Sequence, residues 1–366
     1  MTTIIVGAGA SGLACAIRLK QNNPDFSVTI LERMPTAGKK ILATGNGRCN
    51  LSNTKADGYN EIIGFFSSLG LVTRADEEGR IYPYSNQATS VLDILIAECN
   101  RLGVEIVTEC TVTEIDKDLS VTTDKGIFMA DNVVIATGGK AQKNLGSDGS
   151  GYKLLSSLSH SITPLIPALV QLTSSSKYPR ALKGHRVKCN MKVQLDGVTV
   201  KEDFGEVLFT DYGLSGIVTM NLSEAVSKNF IKENPQKCHA VLDLVPDMSD
   251  AELSEYLSKF QSLKGILGTE LSGIIEKQAE GDILKMAVFA KNWKLIITGT
   301  KGFDYAQITS GGAVLDEFVD YQSRLVKGLF ACGEVLDRQF DCGGYNLNFA
   351  WFSGIKTADK ITSIYK

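Results

Sequence analysis

The segment Gly7-Ala8-Gly9-Ala10-Ser11-Gly12 constrains this chain more than any other stretch. It follows the β-branched run Thr2–Val6 and precedes the helix formers of Leu13–Lys20, after which Val28–Leu31 makes a second apolar run. Strand, glycine turn, helix and strand form one βαβ unit. In such a unit Gly7 permits the tight turn, Gly9 lets the backbone approach a pyrophosphate, and Gly12 lets the helix pack on the strand. Ala10 and Ser11 open the helix whose N-terminus faces the phosphate charge. A G-x-G-x-x-G alone is weak evidence, because a glycine-rich turn can be only a turn. Glu32, 20 residues after Gly12 at the end of the second strand, strengthens it. A carboxylate there accepts both ribose hydroxyl protons.

Beyond this unit, Val91–Arg101 reads as a helix, and Val104–Val107 and Val133–Ala136 read as buried strands. From about Pro164 the texture changes. Val187–Leu195 and Glu206–Thr210 alternate as half-buried strands do, and Ser215–Ser227 reads as a helix. Charged helical sequence runs from Ser249, an N-cap candidate, to Trp293. Strand texture returns at Tyr305–Thr309 and Leu329–Cys332, and a last helix fits Asn346–Ile364.

Composition excludes several classes. With 38 Lys+Arg against 41 Asp+Glu, the chain lacks the basic excess that holds nucleic acid, so no nucleic-acid partner is expected. The stretch Lys177 to Lys188 is locally basic, as a solvated face often is. Three histidines at unrelated positions and eight singly scattered cysteines argue against a metal site and against a disulfide framework. No apolar run approaches about 18 residues. These features predict a soluble, cytoplasmic protein of reduced thiols with no membrane partner.

Two later strands also end in glycine: Val133-Val134-Ile135-Ala136-Thr137-Gly138-Gly139, and Leu329-Phe330-Ala331-Cys332-Gly333-Glu334. With Glu32-Arg33, they resemble the nucleotide-contact segments of glutathione-reductase-type flavoproteins. In those proteins the acid of the C-terminal segment, here Glu334, bonds the ribityl chain of FAD. A second complete G-x-G-x-x-G is absent, so FAD is favoured over NAD as the bound dinucleotide. The segment from Gly38 to Asn50 (GKKILATGNGRCN) gathers glycines, cations and amides directly after the βαβ unit.

Together with GSDGSGY, LFTDYGLSG, TSGGAVLDEF, CGEVLD and GGYNLNFAWFSG, these motifs are similar to those of the BaiN/YhiN-type family of bacterial NAD(P)/FAD-dependent oxidoreductases, which are aminoacetone-oxidase-like flavoproteins. The resemblance covers nearly the whole chain. Cys342 departs from it, standing where a small residue such as Thr is expected before Gly343; it is either inert packing or a modifier of reactivity.

The resemblance implies an α/β fold: a glutathione-reductase-like Rossmann FAD domain from 1–160 plus 311–366, an inserted β-rich substrate domain from 161–246 plus 300–310, and a small helical module from 247–299. It also implies cofactor contacts from Gly38, Lys39, Lys40, Arg48, Cys49, Asn50, Val112, Ala136, Thr137, Gly138, Gly333, Gly344, Tyr345, Asn346 and Leu347.

No second cysteine stands five residues before Cys49, so a disulfide-reductase mechanism is disfavoured and Cys49 packs or touches the cofactor. Tyr345-Asn346 opens the last helix, whose N-terminus aimed at the flavin N1–C2=O edge would stabilise the reduced ring. Tyr345, Asn346 and Asp148 are weak catalytic candidates. Ser150 is expected to cap the helix through Leu154. Thr309-Ser310-Gly311-Gly312 either touches substrate or forms a hinge turn.

The leading expectation is hydride transfer between flavin N5 and a small organic molecule, first of all reduction of an activated C=C bond. NAD(P)H would serve as a transient donor, landing near Lys177, Arg180, Lys183 and Arg186. Amine oxidation with O2, an RNA-modifying flavoprotein and a flavin redox sensor are the alternatives.

Overall fold

The computed structural model describes residues 1–365. The chain divides into two compact units, one of Met1–Leu165 with the chain from Ile308 onward, the other of Ile166–Gln307.

The first unit is built on a parallel sheet. Thr2–Val6 (β1), helix Ala10–Asn22 (α1) and Ser27–Leu31 (β2) form the opening βαβ. β1 pairs in parallel with β2 on one side and with Asn132–Ile135 on the other. β2 continues to Glu105–Val107, and Asn132–Ile135 continues to Leu329–Ala331. In chain order the five parallel strands therefore lie third, second, first, fourth, fifth, the Rossmann arrangement, with the order reversing between the first and fourth. Short antiparallel strands Phe318–Val319 and Gln322–Ser323 extend one edge.

Because side chains alternate across a strand, β1 feeds two cores. Ile5 joins Leu13, Ile17, Val91, Leu95, Trp351 and Ile355 on one face, whereas Ile4 and Val6 join Val121, Leu154, Leu155 and Phe349 on the other. The C-terminal helix Tyr345–Ile364 packs on α1, fastened by Asp359, which takes Arg18 at 2.7 Å and Asn22 at 2.9 Å. The last strand and helix thus complete a sheet that the first residues begin.

The second unit holds a closed six-stranded antiparallel barrel: Leu172–Ser174, Gly213–Ser215, Val198–Phe209, Arg186–Leu195, Cys238–Asp243 and Trp293–Thr300. Helices Asp250–Phe260, Thr269–Ala279 and Ile283–Lys291 share one core with it, in which Leu253, Leu257 and Ile275 lie with Met191, Leu242 and Trp293. Ser249 caps the first of these helices in a reciprocal capping box with Glu252.

Four expectations change. Residues 161–165 and 308–310, expected in the inserted β-rich domain, fall in the first unit. Residues 293–299, assigned to the helical module, are a barrel strand, and Trp293, Leu295 and Ile297 alternate inward. Glu206–Thr210 is the end of the longer strand Val198–Phe209, whose first part is largely exposed and gives no alternating signal. Tyr305–Thr309 shortens to Ile308–Ser310, because Tyr305 and Ala306 both turn back onto Gly302 O.

Candidate cofactor site

The glycine loop at the end of β1 is held by close backbone contacts. Gly7 has φ +107°, and a Cβ there would stand 2.6 Å from Ala136 O. A Cβ on Gly12 would stand 2.0 Å from Gly7 O. Gly9 differs: nothing lies within 4 Å of where its Cβ would be. The loop is packed shut at its first and third glycines and open at its second. α1 starts there with no side-chain cap and no acid in its first turn. An uncapped N-terminus with an open glycine matches a pyrophosphate in shape and in sign.

Glu32 is 9% exposed. Its Oε2 accepts Ala8 N–H and its Oε1 accepts Met34 N–H, both at 2.8 Å. One amide per oxygen fixes the carboxylate and leaves acceptor capacity for a diol. Its backbone carbonyl takes Cys110 N–H at 2.9 Å, which brings the strand Val112–Ile115 alongside.

Arg33 instead grips Asp148 and donates Nε to Gly146 O at 3.1 Å. Burial raises the Asp148 pKa, but the Ser150 N–H and the Arg33 guanidinium prevail and hold the carboxyl below its ordinary range. An acid held ionised is a poor proton donor. The helix Ser150–Ser157 is capped from outside by Asp148, which takes Ser150 N–H at 2.9 Å; Ser150 itself is the first helical residue rather than the cap.

The segment around Cys49 is joined to the start of the C-terminal helix. Asn50, its amide oriented by its partners, donates to Ser52 O at 3.0 Å and Ile81 O at 3.3 Å, and accepts Gly344 N–H at 3.1 Å. Asn53 donates to Gly343 O at 3.0 Å, and the Ser52 hydroxyl donates to Asn348 Oδ1 at 2.7 Å. Asn348 donates onward to Asp57 O at 2.8 Å, and Trp351 Nε1 reaches Leu51 O at 3.2 Å. Gly344 has φ +97°, and a Cβ there would stand 2.3 Å from Ser52 O.

Asn50 therefore holds protein backbone. Cys49 is buried and desolvation pushes its thiol up to about 12, so it packs. Arg48 is exposed, lying 4.8 Å from the centroid of the Tyr82 ring and donating to Gly45 O. Asn346 ties down the preceding loop, accepting Phe340 N–H at 2.9 Å and donating to Phe340 O at 2.7 Å. Tyr345, Asn346 and Leu347 form the first turn of the C-terminal helix, which has no side-chain cap and no acid in that turn. Leu347 packs on the apolar core beneath.

Gly38 donates its N–H to Ala8 O at 2.8 Å, which sets Lys39 and Lys40 at the start of the short helix Lys39–Ala43. Lys40 pairs with Glu334 at 3.0 Å, and the other Glu334 oxygen accepts Thr309 N–H at 2.8 Å. The Thr309 hydroxyl accepts Lys140 N–H at 2.7 Å and Ala141 N–H at 3.2 Å, just past Ala136, Thr137 and Gly138. Thr309 is thus more than a hinge turn.

The Lys40–Glu334–Thr309 connection, the Asn53–Gly343 bond and the Ser52–Asn348 bond were not read from sequence. Their partners lie between 25 and 296 positions apart, and the only available signal was polar residues with no periodic reason to be there. In the second unit, Lys183 pairs with Asp211 and Arg186 with Glu206, both on the surface.

An open second glycine at an uncapped helix, a buried acid just past the second strand and a late strand followed by Gly-Glu define a Rossmann-type flavoprotein, an oxidoreductase class of enzyme. The chain belongs to the HI0933-like protein Rossmann domain family, whose model matches residues 1–360.

It is 36% identical to a 3-dehydro-bile acid delta(4,6)-reductase of Clostridium scindens over 96% of both chains. It is 26% identical to a ribosomal RNA dihydrouridine synthase of Haemophilus influenzae over 98% of both, and 27% identical to one of Escherichia coli. Among solved structures, the 3-ketosteroid delta1-dehydrogenase of Sterolibacterium denitrificans matches with a TM-score of 0.55 over 99% of this chain and 100% of that one, at 11% identity. A flavocytochrome c3 fumarate reductase matches with a TM-score of 0.51 over 99% of this chain and 78% of that one, at 15% identity. These two likenesses concern the fold. Among the described residues, no helix is long and apolar enough to cross a membrane.

Proposed function

We propose that this chain is an FAD-dependent reductase that adds hydrogen across a carbon–carbon double bond activated by a neighbouring carbonyl, drawing its electrons from NAD(P)H. The observation that carries the reading is the run from the open Gly9 cradle and Glu32 to the uncapped C-terminal helix, on a chain 36% identical to a delta(4,6)-reductase.

In this reading the first amides of α1 hold the pyrophosphate and Glu32 holds the ribose diol. The amides of Tyr345, Asn346 and Leu347 offset negative charge at the far end of the cofactor. Bound FAD supplies hydride transfer at N5. Arg33 keeps Asp148 ionised and Asn346 is engaged with Phe340, so neither offers a proton. Tyr345, on the first turn, is the remaining candidate of the three to protonate the substrate carbon that does not receive the hydride.

The names of the relatives describe one bond chemistry on two kinds of molecule: a bile acid and a ribosomal RNA each lose a double bond. A small-molecule substrate is favoured here, because the net charge is -3 and two cations of the basic stretch, Lys183 and Arg186, already carry acidic partners.

An anaerobic stopped-flow experiment tests the reading. FAD-loaded protein reduced by NAD(P)H should be reoxidised quickly by a steroid 4,6-dien-3-one and slowly by O2. Reoxidation by a uridine-containing ribosomal RNA fragment but not by the dienone would transfer the reading to RNA. Bleaching of the flavin by a small amine, with no reaction toward NAD(P)H, would replace it with an amine oxidase.

A further inference from the structure

Lys40 and Glu334 stand 294 positions apart in sequence, and neither side chain is more than 23% exposed. Gly38 ties the helix of Lys40 to the glycine loop through Ala8 O. Gly333, beside Glu334, donates its N–H to Ser353 Oγ of the C-terminal helix at 2.9 Å. The ion pair is thus joined on one side to the proposed pyrophosphate cradle and on the other, through Ser353, to the third turn of the C-terminal helix. Gly139 is kept small against it, since a Cβ there would stand 2.4 Å from Glu334 Oε1.

An exposed salt bridge has little influence on anything nearby, because water screens both charges. This pair is partly withdrawn from water, and its carboxylate is oriented by Thr309 N–H. Each charge is masked chiefly by the other. Two-electron reduction of a flavin with uptake of one proton leaves a negative charge on the ring. An unmasked ammonium beside it favours the reduced form, and an unmasked carboxylate opposes it.

Resting on the flavin reading above, we propose that the Lys40–Glu334 pair sets the reduction potential of the bound cofactor. Glu334 masks Lys40 and keeps the reduced form from being too stable to pass its hydride on. Lys40 in turn masks a carboxylate that would otherwise slow the cofactor's reduction. The two residues are positioning groups that act on the cofactor through their charge.

The test is the midpoint potential of the FAD-loaded protein, measured by dithionite titration against an indicator dye. Lys40→Met should shift the equilibrium about tenfold toward oxidised flavin, which is about 30 mV downward for a two-electron couple. Glu334→Gln should shift it upward by a similar amount, and Lys40→Arg should stay near the wild type. Shifts of the same sign in Lys40→Met and Glu334→Gln, or none in either, would overturn the proposal. Should Glu334→Gln fail to retain FAD, the comparison of Lys40→Met with Lys40→Arg decides alone. A wild-type protein that refuses FAD altogether would sink the functional reading itself, an outcome distinct from FAD bound at an unshifted potential.

Discussion

Glu32 is the residue at which sequence spacing and geometry meet most directly. Its distance from Gly12 picks it out, and in the structure it has one backbone amide on each oxygen and is 9% exposed. In the proposed site it forms charge-assisted bonds to two ribose hydroxyls, each worth roughly 1.5–3 kcal/mol. Glu32→Ala should therefore weaken FAD binding about 10²-fold or more while leaving the overall fold intact. Titration of apoprotein with FAD measures this, and unchanged affinity would remove Glu32 from the site. Gly7, Gly12 and Glu32 were legible because their roles depend on short spacings. Glu334 was legible only as an acid after a strand. Its partners Lys40 and Thr309 come from other parts of the chain, and no local pattern pairs them.

At the scale of elements, the C-terminal helix is the piece on which most of the site depends. Its existence was legible from apolar periodicity, and its start is observed at Tyr345. What the sequence did not disclose is why the segment near Cys49 is so particular. Asn50, Ser52 and Asn53 hold the turn before the helix, and Asn348 answers from its first turns. Such side-chain-to-backbone bonds leave no periodic trace.

Asn348 is 3% exposed, with its amide oxygen on Ser52 and its nitrogen on Asp57 O. Asn348→Ala would leave the buried Ser52 hydroxyl without this acceptor and release the carbonyl of the exposed Asp57, and should cost about 1–3 kcal/mol of stability. Equilibrium urea unfolding reads this directly: the midpoint should fall with an unchanged slope. A midpoint equal to that of the wild type would mean that the helix start is held by other contacts. Strands such as Gly126–Met129 and the first part of Val198–Phe209 were illegible for a related reason, since they are largely open to solvent and carry no apolar alternation.

At the scale of the whole molecule, the two units differ in the kind of sheet they hold. Ile166–Gln307 holds an antiparallel barrel, and no G-x-G-x-x-G stands there between a strand and a helix. A dinucleotide donor therefore has no preformed Rossmann cradle of its own there. Of Lys177, Arg180, Lys183 and Arg186, the sequence's candidates for the donor's phosphates, Lys183 and Arg186 form surface ion pairs with Asp211 and Glu206. If NAD(P)H reduces the proposed flavin, its nicotinamide must reach N5 within about 3–3.5 Å from a weakly held pose, which lowers the fraction of productive encounters. The observed rate of flavin reduction should rise linearly with NAD(P)H to near 1 mM, the upper end of ordinary Michaelis constants. Replacing Arg186 by Ala should change that slope little, because Arg186 and Glu206 are both largely exposed and water screens the charge left behind. Stopped-flow absorbance of the flavin under anaerobic conditions gives both quantities. Saturation at micromolar NAD(P)H would show a built donor site that neither the barrel nor the basic stretch supplies, and the transient-donor account would fall.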